Sequence, residues 1–264
     1  MARHEARRYR RRGLPKTARG LVELAGDTAG ASVLDVGGGV GDLSLELLER
    51  GAERATVVEI SDGYEESAAT LLAEHRLGDR VDRHVGDFVT EGGLVERHDV
   101  VLLHRVVCCY PDAGALVSVA AAHTGRRLVL TYPRERALAR FGFGAINLWL
   151  RLTRCGFRTY VHPVAAMEEA ARREGLAPLH REAQGLVWEN ALFERLPNGG
   201  GGNAPRMEPR HLEGEAEQRA AERAADATAE TRARRGDEDP RGNEPEESGD
   251  LEHRTPPDED EGWV

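Results

Sequence analysis

A short apolar strand that runs directly into a glycine-rich turn limits the fold of this chain more than any other feature. Residues 33–42 read Val-Leu-Asp-Val-Gly-Gly-Gly-Val-Gly-Asp, so Asp35 lies near the strand end and the turn holds Gly37, Gly39 and Gly41. Glycines let the backbone turn tightly and let a ligand approach without a Cβ in the way. The pattern predicts a strand–turn–helix unit whose turn contacts a ligand.

Short apolar runs alternate with helical patterns along residues 31–197, and this alternation is typical of a mostly parallel sheet covered by helices. The last two strands follow each other without a helix, which predicts an antiparallel hairpin at the sheet edge. The predicted strands are 32–36, 55–60, 81–85, 99–103, 127–132, 177–181 and 186–193. The predicted helices are 42–50, 63–76, 113–121, 137–153 and 164–174. We therefore expect an α/β fold with a seven-stranded sheet and helices on both faces.

The acidic balance of the chain belongs to its C-terminal part. Residues 198–264 hold 19 acidic and 9 basic side chains, so their net charge of −10 equals that of the whole chain. They begin with a glycine-rich linker and contain few large apolar residues, so they cannot offset the entropy of ordering. The sequence predicts a folded domain over 31–197 and a disordered acidic tail over 198–264.

Residues 1–30 are predicted to form a basic helical cap. Eight basic side chains fall within residues 1–19, against Glu5 alone. A solvated helix explains them most simply, and a basic lid over an anionic substrate is the sharper interpretation. Nucleic-acid binding is a weaker third interpretation, because the patch is short and only Tyr9 could stack on a base.

The second strand ends in an acid that fits a nucleoside site. Glu59 lies 20 residues past Gly39, where a carboxylate can accept hydrogen bonds from both hydroxyls of a ribose. The dinucleotide pattern would place a third glycine at position 42, but Asp42 stands there. This substitution argues against a pyrophosphate bound at the helix N-terminus.

The pattern D-x-G-x-G-x-G over 35–41 resembles motif I of the class I S-adenosylmethionine-dependent methyltransferases, which have a Rossmann-like fold. Asp87-Phe88 after the third strand resembles the family's pair of residues that flanks the adenine, and the fourth strand ends at His104, beside the methyl donor in that family. The resemblance implies S-adenosylmethionine as cofactor. It implies the following cofactor-binding residues: Asp35, Gly37, Gly39, Gly41, Glu59, Asp87, Phe88 and His104.

Residues 99–111, the long insertion after the fifth strand and the ending 186–195 resemble magnesium-protoporphyrin O-methyltransferases over roughly residues 20–196. That resemblance implies methylation of a propionate carboxylate, with His104, Cys109 and Tyr110 as candidate catalytic residues. One departure is Cys109, which stands where the family has a functional histidine before Tyr-Pro. A carboxylate is already ionised at neutral pH and needs no general base, so the departure loosens the substrate assignment without excluding this chemistry.

The insertion 134–162 carries Phe141, Phe143 and Trp149 in a helical pattern. These aromatic residues could fill core or form an apolar wall of a substrate pocket, and the sequence favours neither. Under the pocket interpretation, Arg8, Arg11 and Arg12, or Arg105, would supply a cationic rim for a large acidic substrate.

We therefore expect a methyltransferase acting on a small molecule, by O-methylation of a carboxylate or a hydroxyl. The alternatives are an NAD-dependent oxidoreductase and a non-catalytic S-adenosylmethionine-binding protein. Nucleic acid is not expected as substrate, because residues 1–197 are neutral overall and no Asn/Asp-Pro-Pro-Tyr motif follows the fourth strand.

Three cysteines without Cys-x-x-Cys pairs predict neither a metal site nor a disulfide framework. The charged N-terminus, with no apolar run behind it, predicts no signal peptide. The longest apolar stretch, about ten residues at 141–150, is too short to cross a bilayer. A cytoplasmic protein without stable membrane insertion is expected, and its oligomeric state is left open.

Overall fold

The structure is a computed structural model that describes residues 1–91 and 95–196, with the backbone alone for Leu138. The predicted acidic tail and its linker, residues 198–264, lie outside the described residues. The predicted domain end at 197 lies outside them as well.

Seven strands in the described residues form one sheet, in the order β3-β2-β1-β4-β5-β7-β6. Strands β1 to β5 are parallel, and β7 is antiparallel to both β5 and β6. The predicted parallel sheet and its edge hairpin are confirmed. The strands are β1 (Ser32–Val36), β2 (Arg54–Glu59), β3 (Val81–Val85), β4 (His98–His104), β5 (Thr124–Pro133), β6 (Leu176–Gln184) and β7 (Trp188–Arg195).

The five predicted helices are present, each ending within about two residues of its expected position, and the N-terminal region forms two helices rather than one. The described helices are α1 (Ala2–Arg12), α2 (Lys16–Ala25), α3 (Asp42–Glu49), α4 (Glu65–His75), α5 (Phe88–Glu91), α6 (Ala113–Ala122), α7 (Ala137–Leu152) and α8 (Val164–Arg173). Local chemistry explains the start of α6, where the Asp112 carboxylate accepts a hydrogen bond from the Ala115 N–H. The four-residue helix α5 was not predicted.

The helices cover both faces of the sheet, because the central strands are apolar on both sides. On β1 and β4, Val33 and Val100 face one core, while Leu34 and Val101 face the other. The first core contains buried residues of α1 to α4, and the second those of α5, α6 and α8. The basic N-terminal segment thus shares a core with the sheet.

The direction of strand addition reverses between β1 and β4. From β1 the sheet extends one way through β2 and β3 and the other way through β4 and β5. Such a reversal leaves a crevice at the carboxyl ends of the parallel strands, which is where open α/β sheets bind ligands. The glycine turn after β1 and the ends of β2 and β4 meet there.

Candidate functional site

The turn after β1 has a backbone that requires glycine. Gly37, Gly39 and Gly41 have φ angles of 67°, 52° and 81°. At Gly37 a Cβ would also lie 2.5 Å from Cγ2 of Val106, which follows β4. Any larger residue at Gly37 would therefore strain the backbone and collide with the neighbouring loop.

Glu59 lies at the end of β2 against this turn, and its side chain is buried. Its Oε2 accepts a hydrogen bond from the Gly39 N–H at 2.9 Å, and its Oε1 accepts one from the Ser61 N–H at 3.1 Å. A carboxylate oxygen can accept two hydrogen bonds, so both oxygens retain an acceptor site. The turn thus fixes the orientation of Glu59 without exhausting its capacity to accept hydrogen bonds.

Asp35 is fully buried beneath the glycine turn. Its Oδ2 accepts a hydrogen bond from the Ser44 hydroxyl at 3.0 Å, and its Oδ1 has no partner among the described residues. Burial raises the pKa of Asp35 to about 7, and the nearby Asp42 carboxylate acts in the same direction. A Cβ at Gly38 would lie 2.7 Å from Asp35 Cγ, so Asp35 supports the turn from below.

Asp87 and Tyr110 meet across the ends of β3 and β4. The Tyr110 hydroxyl donates to Asp87 Oδ2 at 3.2 Å, and the Val89 N–H donates to Asp87 Oδ1 at 2.9 Å. Burial, reinforced by the Asp87 carboxylate, raises the pKa of Tyr110 to about 12. Phe88 is buried in the second core, where its ring packs edge-on against His123 at 5.5 Å between centroids.

His104, the last residue of β4, is held in its neutral form. Its Nε2 lies 3.0 Å from the hydroxyl of Thr17 on α2. Burial lowers the pKa of His104 to about 3, and the positive charges of Arg105 and Arg8 lower it further. At neutral pH this imidazole is uncharged and a weak base, suited to hydrogen bonding rather than to proton abstraction.

Arg105 follows His104 with a φ of 61°, which is uncommon for a non-glycine residue. Its guanidinium carbon lies 4.2 Å from the centre of the Trp188 ring. The Phe143 ring of α7 meets the same Trp188 edge-on at 6.1 Å. Two aromatic rings and a cation thus lie together beyond the end of β4.

Cys109 lies in a short 3-10 turn after Arg105, next to Cys108. The two Sγ atoms are 3.6 Å apart, which is within hydrogen-bonding distance for thiols. The hydrogen bond from Cys108 lowers the pKa of Cys109, and the Arg105 guanidinium acts in the same direction. A deprotonated Cys109 would be a nucleophile rather than a substitute for a histidine base.

Helix α1 lies over the glycine turn. A Cβ at Gly39 would come within 3.4 Å of Glu5 Oε2 and within 3.3 Å of the Tyr64 ring. Burial raises the pKa of the half-buried Glu5, although the Arg8 and Arg105 charges oppose the shift. The Arg8 Nε is buried without a partner among the described residues. Helix α1 therefore brings a carboxyl and an unpaired guanidinium N–H group to the crevice.

No family model matches the sequence, and none of the curated proteins matches it either. Solved structures do match. Magnesium protoporphyrin IX methyltransferase from Synechocystis, with bound SAH, shares 21% identity with a TM-score of 0.55, over 69% of this chain and 84% of that one. An O-methyltransferase family 2 protein from Planctomyces limnophilus, in complex with apigenin, shares 17% identity with a TM-score of 0.57, over 74% and 62%.

An O-methyltransferase family protein from Burkholderia thailandensis shares 18% identity with a TM-score of 0.54, over 67% of this chain and 56% of that one. This chain has the Rossmann-like methyltransferase fold. The predicted fold class is thereby confirmed.

Within the methyltransferase fold, the predicted cofactor residues separate into two groups. The glycine turn and Glu59 are in direct contact, with Asp35 beneath them. Asp87 faces Tyr110, and His104 faces Thr17, whereas Phe88 points into the core. Their cofactor roles remain predictions.

The aromatic residues of α7 do not fill core as a group. Phe141 and Trp149 are exposed, while Phe143 is half-buried beside Trp188. Of the four predicted rim residues, Arg11 and Arg12 are exposed, and Arg8 and Arg105 turn toward the crevice. Only part of each predicted set therefore contributes to the crevice.

Sequence reasoning missed Glu5, Thr17, Tyr64 and Trp188, which tertiary packing brings to the crevice. Glu5 alone carried a signal, as the single acid in a basic segment.

Other features of the described residues lie away from the crevice. A cleft of about 620 Å³, lined among others by Arg54, Arg80 and His98, lies at the amino ends of β2 and β3. It is far from the carboxyl ends where the fold binds ligands, so we give it no role in the chemistry. Across residues 1–91 and 95–196, no three His, Cys, Asp or Glu side chains are grouped to hold a metal ion.

Proposed function

We propose that this protein is an S-adenosylmethionine-dependent methyltransferase. The observation that carries the proposal is the buried Glu59 carboxylate, oriented by the Gly39 N–H at 2.9 Å and keeping acceptor sites for two ribose hydroxyls. Structural similarity to methyltransferases supports the same conclusion at the level of the fold.

The residues around the crevice fit this cofactor. The bare turn from Gly37 to Gly41 would admit the nucleoside against the backbone, and Glu59 would bind the ribose. Asp87, fixed by Tyr110, would lie toward the adenine. S-adenosylmethionine, when bound, supplies a methyl group on a positively charged sulfonium.

We propose a small-molecule acceptor with an oxygen nucleophile, and we favour a carboxylate over a hydroxyl. Arg105 and Arg8 place positive charge around the end of β4, where a carboxylate would be attracted. Trp188 and Phe143 offer an apolar wall for the rest of the molecule. A nucleic-acid substrate is not expected, as the sequence predicted.

The side chains at β4 position the acceptor rather than deprotonate it. His104 stays neutral at its pKa of about 3, and Tyr110 keeps its proton at a pKa of about 12. Neither can act as an efficient base near neutral pH. A carboxylate needs no base, so the missing histidine at position 109 does not weaken this proposal.

A screen of a metabolite extract with labelled S-adenosylmethionine tests the proposal. We expect a labelled ester or ether in the presence of the wild-type protein and, at subsaturating cofactor, about tenfold less or lower with Glu59→Ala. Absence of any labelled product, together with absence of cofactor binding, would contradict the proposal.

The pH dependence then distinguishes the acceptors. For a carboxylate, the rate should be nearly flat between pH 6 and pH 8.5, because the acceptor is ionised throughout. For a phenolic hydroxyl, with a free pKa of about 10, the rate should rise about tenfold per pH unit.

A further inference from the structure

Helix α7 carries apolar side chains on two opposite sides. Ala139 and Leu150 point inward and are buried. Phe141, Leu148 and Leu152 recur at helical spacing on the other side, with 79%, 60% and 74% of their surface exposed. Trp149, 63% exposed, flanks this row. Contiguous exposed apolar patches on folded proteins mark sites of contact with a partner or a membrane, so the outward row calls for one.

The charged side chains of α7 itself have one sign. Residues 134–158 contain six arginines, at 134, 136, 140, 151, 154 and 158, and Glu135 as their single acid. Glu135 lies 3.7 Å from Arg140. By helical periodicity, Arg140 and Arg151 lie on one flank of the row and Trp149 lies on the other. The exposed side of α7 is therefore an apolar stripe about 16 Å long with a cationic border.

We propose that α7 lies in the surface of an anionic lipid bilayer, with Phe141, Leu148, Trp149 and Leu152 in the headgroup–acyl boundary. An apolar stripe with tryptophan on one flank and arginine on the other is what binds such a surface, because apolar burial and attraction to anionic lipids act together. With 16 residues, α7 is shorter than the ~20 needed for a span. No helix of the described residues is long and apolar enough to cross a membrane.

Two other partners would cover the apolar stripe of α7 less well than a bilayer does. A second copy packed antiparallel, α7 against α7, would place the arginine flanks of both copies on the same side of the contact, where like charges repel. Residues 198–264 of the same chain have the complementary charge, but they offer few large apolar side chains to cover the stripe.

Helix α7 borders the crevice on its inner side, where Phe143 meets Trp188. The segment after α7 returns to the β4 loop, where the Tyr160 N–H donates to the Cys108 carbonyl at 2.8 Å and His162 Nε2 lies 3.0 Å from the Tyr110 carbonyl. Binding through α7 would therefore hold that edge of the sheet close to the bilayer. The proposal concerns a surface and stands whether or not the methyl-transfer proposal holds.

Sedimentation of the full-length protein with vesicles tests the proposal. We expect binding to phosphatidylcholine vesicles that contain phosphatidylglycerol, and at least about tenfold weaker binding to phosphatidylcholine alone. Trp149→Ser and the double variant Leu148→Ser/Leu152→Ser should each weaken binding to the anionic vesicles by about tenfold or more. Arg151→Glu should weaken it by about fivefold or more and reduce its salt dependence.

Matched control variants distinguish binding through this surface from nonspecific binding to vesicles. Leu179→Ser on β6 and Leu186→Ser before β7 make the same chemical change at sites 58% and 71% exposed. Arg173→Glu on α8 reverses an exposed charge elsewhere. All three should bind anionic vesicles like the wild type, and thermal melting should confirm that every variant is folded.

Several results would overturn the proposal. These are absence of vesicle binding, equal binding to both lipid compositions, and equal loss in the α7 and control variants. A change of oligomeric mass with Trp149→Ser, measured by light scattering without lipid, would assign the stripe to a second copy. Vesicle binding that appears only after removal of residues 198–264 would assign the stripe to that segment.

Discussion

Asp35 shows how one side chain can support a ligand-binding turn at a cost to stability. The carboxyl is fully buried, its Oδ1 has no partner among the described residues, and its pKa is raised to about 7. A raised pKa means that the folded protein holds this proton more tightly than the unfolded chain does. Ionising Asp35 at neutral pH therefore opposes folding.

The pH dependence of stability should reveal Asp35 directly. As pH rises from about 4 to about 7, the unfolded chain releases the Asp35 proton while the folded protein still holds it, so the free energy of unfolding falls. In Asp35→Asn this loss is absent, and the variant should gain more than about 1 kcal/mol relative to wild type across that window. Urea unfolding at several pH values measures the difference.

Asp42, whose pKa is raised to about 6, acts in the same direction in both proteins, so the comparison isolates Asp35 together with its interaction with Asp42. Asp79→Asn on the surface serves as the control. If wild type and Asp35→Asn gave parallel stability curves, Asp35 would not be the buried titrating group.

Residue-level prediction succeeded where chemistry is local in sequence. The glycine turn and Glu59 were predicted correctly as neighbours because a strand, a glycine turn and an acid at a fixed spacing form a pattern that is visible in the sequence. Thr17 and Trp188 were not found, because each reaches the β4 loop from a distant element. These two residues come close to the β4 loop only in the folded protein, so no local sequence pattern reveals them.

At the level of elements, α7 is the case in which the sequence left two interpretations open. Its aromatic spacing predicted a helix, which is confirmed, but spacing does not say how many sides of a helix meet protein. The structure places Phe143 against Trp188 and leaves Phe141 and Trp149 exposed. The burial of this helix depended on packing that no local pattern encodes.

Exposure of Trp149 changes the expected cost of removing it. Trp149→Ala should lower the melting temperature by less than about 2 °C, because surface substitutions usually cost within about 0.5 kcal/mol. Phe193→Ala on β7 truncates a fully buried ring and should cost about 3–5 kcal/mol. Differential scanning calorimetry of both variants checks this contrast. A comparable loss of stability in both variants would mean that the outer side of α7 is packed against protein.

For the whole molecule, the described residues 1–91 and 95–196 contain the sheet, both cores and the crevice. Truncation after Pro197 should therefore change the melting temperature and the cofactor affinity little, since residues 198–264 are poor in large apolar side chains. Scanning calorimetry and titration of the truncated chain measure both quantities. A drop of more than about 5 °C would show that the C-terminal segment contributes to the folded domain.

Binding of S-adenosylmethionine to Glu59 variants tests the central proposal most directly. The wild-type protein should bind S-adenosylmethionine and not NAD in isothermal titration calorimetry. Glu59→Ala should weaken that binding by about tenfold or more, because charge-assisted hydrogen bonds contribute about 1.5–3 kcal/mol. Glu53→Ala, on the exposed turn before β2, should leave the affinity unchanged. Wild-type affinity in Glu59→Ala, or absence of S-adenosylmethionine binding by the wild type, would contradict the proposal.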